Sequence, residues 1–151
     1  MIKFKIATPE RVMLETEVDS VTLPTTLGEI TVLRNHIPLV ANLVAGEVKY
    51  KTSGKDEFFA VSGGVIEVKP DHSDASVGAS EVVVLADTAE FPHEIDVARA
   101  EEGRIRAEKL MSESQKDQKS FASATALLEK HLTRIKIAKK HRTHTHTRIE
   151  N

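Results

Sequence analysis

The sequence predicts an α+β chain: an antiparallel β-sandwich over residues 1–90, an antiparallel α-helical hairpin over 91–140, and a flexible His/Thr tail over 141–151. Three observations carry this reading. Apolar residues alternate with polar ones at period two through the first half. Glycine and proline interrupt that pattern at short intervals. Beyond Pro92 there is no further proline and only one glycine, Gly103, in a stretch dominated by Ala, Glu, Lys, Arg and Leu.

In chain order, Ile2, Phe4 and Ile6 place one face of a first strand inward. Val21 and Leu23, Ile30 and Val32, and Val48 and Tyr50 continue the alternation, followed by Phe58–Val61, Val65–Val68 and Val82–Leu85. Thr8-Pro9, Pro24, Gly28, Gly46, Ser53-Gly54, Gly63-Gly64 and Pro70-Asp71 are read as the turns between them. Short strands punctuated in this way pack as a sandwich or barrel. The small, polar stretch Asp71–Ser80 reads as an exposed loop.

Pro92 suits the first turn of a helix, and Glu94 and Asp96 suit the positive end of its dipole. Val97, Ala100, Gly103, Ala107 and Leu110 fall on one face. The polar Ser112–Ser120 holds a turn. A second helix then presents Phe121, Ala124, Leu128, Leu132 and Ile135. Both faces are narrow and Ala-rich, so the hairpin buries little surface and is built to detach or exchange partners.

Composition narrows the function. The 151 residues are 40% hydrophobic and 29% charged, an ordinary folded composition. Cysteine is absent, which excludes disulfides and thiolate metal sites. The opening MIKFKIATPE is neither a signal nor a transit peptide, and no apolar run approaches the ~20 residues that span a bilayer. Membrane association is therefore expected only through a protein complex. Residues 1–90 carry 8 basic and 14 acidic residues, residues 91–151 carry 13 and 9, and Lys130–Ile149 holds seven Lys/Arg with no acid. That run seeks an acidic protein, phosphate or nucleic acid.

Four stretches together resemble the epsilon subunit of bacterial F-type ATP synthases: Gly28–Leu39, Phe59–Val68, Val83–Glu90 and Ile95–Ala100 (IDVARA). The resemblance is colinear from Ile2 to about Lys140. It departs at Thr31, Arg34 and Asn35, where the family commonly has Gly, Pro and Gly, so a different turn is expected in that loop. The tail beyond Lys140 has no counterpart in the family.

The resemblance implies a non-catalytic, central-stalk rotor subunit that couples ion flow to ATP synthesis. Its sandwich would bind the gamma subunit and the c-subunit ring, with Glu29 and His36 at that interface. Its hairpin would either fold down or extend along gamma into the alpha/beta catalytic head and block ATP hydrolysis. The expected inhibitory contacts are Lys130, Arg134, Lys136, Lys139 and Lys140. The subunit would sit at the cytoplasmic face of the bacterial membrane as part of the complex. No cofactor is required, but ATP is expected as a regulatory ligand of Glu90, Ile95, Asp96, Arg99, Ala100, Lys130 and Arg134. Asp96 has a plainer reading as a helix cap paired with Arg99.

Other motifs point less far. Ser62-Gly63-Gly64 lacks the lysine and following helix of a phosphate loop, and reads as permissive backbone. His131, His141, His144 and His146 are read as adventitious metal ligands, the last three in a tail whose His/Thr alternation does not suit a helix. A nucleic-acid-binding module using the basic C-terminus is the alternative function. The acidic sandwich and the few aromatics stand against it. No nucleophile–base pair or metal constellation supports a stand-alone enzyme.

Overall fold

The computed structural model describes residues 1–71 and 80–146, and of residues 143–146 it describes the backbone alone. The chain divides into two compact units, Met1–Ala89 and Glu90–Asn151. The first contains β1 (Ile2–Ala7), β2 (Val12–Val18), β3 (Ser20–Thr25), β4 (Gly28–Val32), β5 (Leu39–Thr52), β6 (Lys55–Pro70) and β7 (Ser80–Ala86). A two-residue β8 (Ala89–Glu90) pairs with β6. The strand path is β2-β1-β7-β6-β5-β3-β4. Its pairs are antiparallel except β1 with β7, which run parallel, a direction that alternation alone does not encode.

One continuous path makes two layers because it folds over. Three strand spacings separate β1 from β5, about 14 Å in a flat sheet. Yet the rings of Phe4 on β1 and Tyr50 on β5 are 5.4 Å apart. Thr52 Oγ1 at the end of β5 also donates to the Glu17 carbonyl of β2 (3.3 Å). Tyr50 continues onto Phe59 at 6.0 Å, giving a ring stack at the centre of the core. Around it Ile2, Phe4, Ile6, Val21, Leu23, Val48, Ile66, Val82 and Val84 are completely buried.

The two long strands perform the fold. Early in β5 the inward positions are odd (Leu39, Ala41, Leu43); later they are even (Val48, Tyr50). β6 does the same, from Phe59 and Val61 to Ile66 and Val68. Leu43 pairs with Gly64 and Gly46 with Val61, so both strands invert at the same rungs. A regular pleat keeps its parity. The break falls at Gly63 (φ 119°) and Gly64 (φ 136°), conformations that suit glycine. Thus Gly46 and Gly63-Gly64, read from sequence as turns, lie inside continuous strands. β2 lies outside the strands that alternation predicts: it ends the sheet path, and Val12 at its start is 51% exposed.

The second unit opens with a 3-10 turn at Pro92–Glu94, then α1 (Val97–Glu113) and α2 (Gln118–His146). The connecting turn lies within the polar stretch, and Asp117 caps α2 by accepting from Lys119 N (3.2 Å) and Ser120 Oγ (2.6 Å). Those two bonds hold the Asp117 carboxyl below its ordinary pKa. The helix does not stop near Lys140, as expected from sequence, but runs through His146. His and Thr are only modestly unfavourable there, and no glycine or proline interrupts propagation. Residues 147–151, and 72–79 of the expected polar loop, lie outside the described residues.

The inversion at Gly64 yields a prediction. A Cβ there would run into the Leu85 carbonyl and lie 2.9 Å from Ala86 Cα, whereas at Gly54 (φ 77°) it would meet nothing. Gly64→Ala should cost about 3 kcal/mol or more, against about 1 kcal/mol for Gly54→Ala. Urea unfolding of the full chain measures both; equal losses would remove the constraint.

Candidate functional site

The helical unit is organised by a thin seam and a two-pronged ion pair, Glu90–Arg134. Asp96 has extended backbone (φ −80°, ψ 102°) and caps α1, its Oδ1 accepting from Arg99 N at 3.2 Å. The capping therefore uses the Arg99 backbone, and the Arg99 side chain is exposed. From α1 the buried residues are Ala100, Gly103 and Ala107, at spacings of three and four. From α2 the corresponding positions are Ala124, Leu128, His131, Ile135 and Ala138, at alternating spacings of four and three; Ala124, Ile135 and Ala138 are buried. Phe121, Leu132 and Leu110, expected inside from sequence, are instead 38%, 46% and 41% exposed. The seam takes His131 where Leu132 was expected, because the heptad-like register outweighs the side chain's polarity.

Gly103 explains why an imidazole fits. A Cβ at that position would overlap the His131 ring, coming 2.7 Å from Nδ1. The ring therefore lies on bare backbone. Its Nδ1 is buried without a hydrogen-bond partner. Burial lowers the His131 pKa, reinforced by the cations Arg134, Lys130 and Arg106 and partly opposed by Glu90.

Beside this ring, Glu90 accepts from Arg134 Nε (2.7 Å) and Nη2 (2.9 Å). The two side chains are 29% and 16% exposed, so this is a half-desolvated, two-pronged bridge joining β8 to α2 across 44 residues.

The structure thus brings two of the expected nucleotide residues, Glu90 and Arg134, into contact with each other. Ile95 and Ala100 are buried at the start of α1, Asp96 is the cap, and Lys130 is half-buried. Of the five expected inhibitory cations, Lys136, Lys139 and Lys140 are exposed on α2, with Lys139 Nζ 3.9 Å from Glu101. No group of three His, Cys, Asp or Glu able to hold a metal occurs among the described residues.

In the strand unit, Glu29 and His36 lie at opposite ends of β4. Glu29 is exposed next to the β3–β4 tip, where Leu27 is 98% exposed. His36 closes a four-residue turn by donating its N–H to the Leu33 carbonyl (3.2 Å), with Asn35 at φ 66°. Asparagine tolerates this left-handed conformation, so the departure from glycine at Asn35 is accommodated. Sequence reasoning missed a further feature. Val65 on β6 pairs with Leu85 on β7, and Val40 on β5 lies diagonal to Val65; they are 41%, 58% and 71% exposed. Three apolar residues on the outer face of three adjacent strands form an exposed apolar strip. The signal in the sequence was an apolar residue at one outward position in each of three otherwise alternating strands, Val40, Val65 and Leu85.

The comparisons agree with this two-unit division. The family model for the ATP synthase delta/epsilon chain beta-sandwich domain matches residues 1–92, and that for its long alpha-helix domain matches residues 93–139. The ATP synthase epsilon chain of Dehalococcoides mccartyi is 41% identical over 143 residues, 95% of this chain and 96% of that relative. That of Halalkalibacterium halodurans is 37% identical, over 88% and 93% of the two chains. Among solved structures, a chain of the Euglena gracilis mitochondrial ATP synthase OSCP/F1/c-ring assembly has the same fold, with TM-score 0.66 at 22% identity over 85% of this chain and 75% of that one.

The Glu90–Arg134 bridge makes a measurable claim about the helical unit. In a double-mutant cycle with Glu90→Gln and Arg134→Met, the coupling should be about 1–2 kcal/mol in low salt. Thermal unfolding reads it, and a coupling near zero would reduce the pair to a surface contact. The nucleic-acid reading of the basic helix finds no support in these relationships: the chain belongs to the epsilon-chain family of ATP synthases.

Proposed function

We propose that the chain is a non-catalytic rotor component whose strand unit is a fixed anchor and whose helical unit is a brake on ATP hydrolysis. The anchor docks on the gamma subunit and the c-subunit ring. The outward strip Val40, Val65 and Leu85 and the exposed Leu27 beside Glu29 support that role, being apolar surface with charged residues around it. Among the described residues no helix is long and apolar enough to cross a membrane, so the membrane is reached through the ring, at the cytoplasmic face in a bacterial cell.

The observation that carries the brake is the thinness of the hairpin seam. Three of its inward positions on α1 are Ala, Gly and Ala. A buried alanine methyl contributes about 0.8 kcal/mol, against roughly 1.5–3 kcal/mol for a leucine. A seam of this kind, supplemented by the Glu90–Arg134 bridge and a long Lys139–Glu101 pair, leaves the folded and extended hairpins a few kcal/mol apart, the range in which a switch operates. In the extended form the cations of α2 meet acidic segments of the alpha/beta catalytic head. Arg134 is held by both prongs to a half-buried Glu90 in the folded form, whereas Lys136, Lys139 and Lys140 are exposed on α2 and are the first residues to test.

ATP is the regulatory ligand of the folded form in this reading. Arg99 and Lys130 supply cations near the start of α1 and on α2, and ATP entering beside Arg134 would have to share that guanidinium with Glu90.

Replacing Lys136, Lys139 and Lys140 by Gln should raise ATP hydrolysis by the reconstituted complex roughly two- to tenfold, the effect of about 1 kcal/mol of ion pairing. Assembly, read by gel filtration with the gamma subunit and c ring, should not change. Unaltered hydrolysis would remove the inhibitory role of this face. Calorimetric titration with ATP should give a binding isotherm that Arg99→Ala weakens. The absence of heat at millimolar ATP would remove the nucleotide from the scheme.

A further inference from the structure

We propose that His131 is a proton-controlled wedge in the helical hairpin: uncharged, it packs over Gly103 and lets α1 and α2 close; protonated, it drives them apart. The histidine occupies a seam position of α2, between Leu128 and Ile135. Its partner on α1 is the one residue without a side chain, and a Cβ there would overlap the ring. The hairpin is therefore shaped around an imidazole. A neutral ring fits because Nδ1, buried without a partner, can remain the unprotonated nitrogen. A second proton would place an N–H and a positive charge where no acceptor waits, which disfavours the charged ring in the closed hairpin.

The charges facing the ring come from three elements. Lys130 and Arg134 lie on its own helix, Arg106 on α1 and Glu90 on β8. The 3-10 turn at Pro92–Glu94, also packed against α2, carries the exposed His93 and Glu94. Of the groups acting on the ring, Glu90 is the anion, and its carboxylate is already held by both prongs of Arg134. The surroundings thus offer a new cation three like charges and one committed anion.

The direction follows from linkage. The closed hairpin holds the histidine pKa below its ordinary value near 6.5, which is the value an open, solvated hairpin restores. Closure is therefore fully favoured above about pH 6.5 and weakens as pH falls below it, levelling off once pH drops beneath the closed-state pKa. Each unit of depression amounts to a tenfold shift toward the open form at low pH. The wedge does not depend on where freed helices go. Its meaning for ATP hydrolysis does rest on the brake proposed above: an acid interior would release the brake onto the catalytic head.

The chain has no cysteine, so labels can be placed at will. Spin labels at Glu102→Cys and Glu129→Cys, both at exposed positions, report the separation of α1 and α2 in the full chain. From about pH 8 to about pH 5.5 the short-distance population should fall severalfold. His131→Gln, neutral throughout, should stay closed over the same range, and His131→Lys should be open already at pH 8. Opening of His131→Gln in step with the native chain, or a native hairpin still closed at pH 5.5, would overturn the proposal. So would an NMR titration placing the native His131 ring at or above 6.5, a readout that needs no variant to fold. If the hairpin opens with acid while hydrolysis by the reconstituted complex is unaffected, the wedge stands and the brake falls.

Discussion

A strand can change which of its faces is buried only by breaking its pleat, and the strand unit depends on two strands doing so at the same rungs. β5 and β6 together pass from one layer to the other, and their inversion brings Phe4 against Tyr50. Without it the path β2-β1-β7-β6-β5-β3-β4 would be an open sheet with one greasy face exposed. The glycines at the inversion serve both conformation and approach: Gly64 has a left-handed backbone and lies against the Leu85 carbonyl. The surrounding β-branched and aromatic residues then fill a core that no small rearrangement can leave.

The helical unit follows the opposite logic. Its seam is made of small residues, and much of its larger apolar surface (Ile105, Leu110, Phe121, Leu132) faces outward. What holds it are a cap at Asp96, a cap at Asp117 and the Glu90–Arg134 bridge. These interactions specify one geometry closely but contribute modestly to its stability. One half of the molecule is held by a packed core; the other is held by a thin seam and polar contacts.

Much of this was legible in the residues. Ile2, Phe4 and Ile6 announce a half-buried strand, and the change of composition after Pro92 announces helices. Strand direction was not legible, because a parallel and an antiparallel neighbour present the same alternation. Gly46 and Gly63-Gly64 misled because a turn between strands and a pleat break within one call for the same permissive residue. On α2 the choice between Leu132 and His131 was decided by register against Gly103, a pairing across the hairpin that local hydrophobicity does not contain. Glu90 and Arg134 entered the reading only through family resemblance. Forty-four residues separate them, and nothing in their immediate neighbourhoods records that they meet.

The parallel contact of β1 with β7 has a consequence for how the chain comes into being. β1 can pair with β2 soon after both are synthesised, but its other edge must wait for residues 80–86. Until then an apolar strand with unsatisfied backbone groups stands open to any passing edge. Such a distant closure is slow compared with forming the helices, so the strand unit is the half whose assembly is most exposed to misadventure.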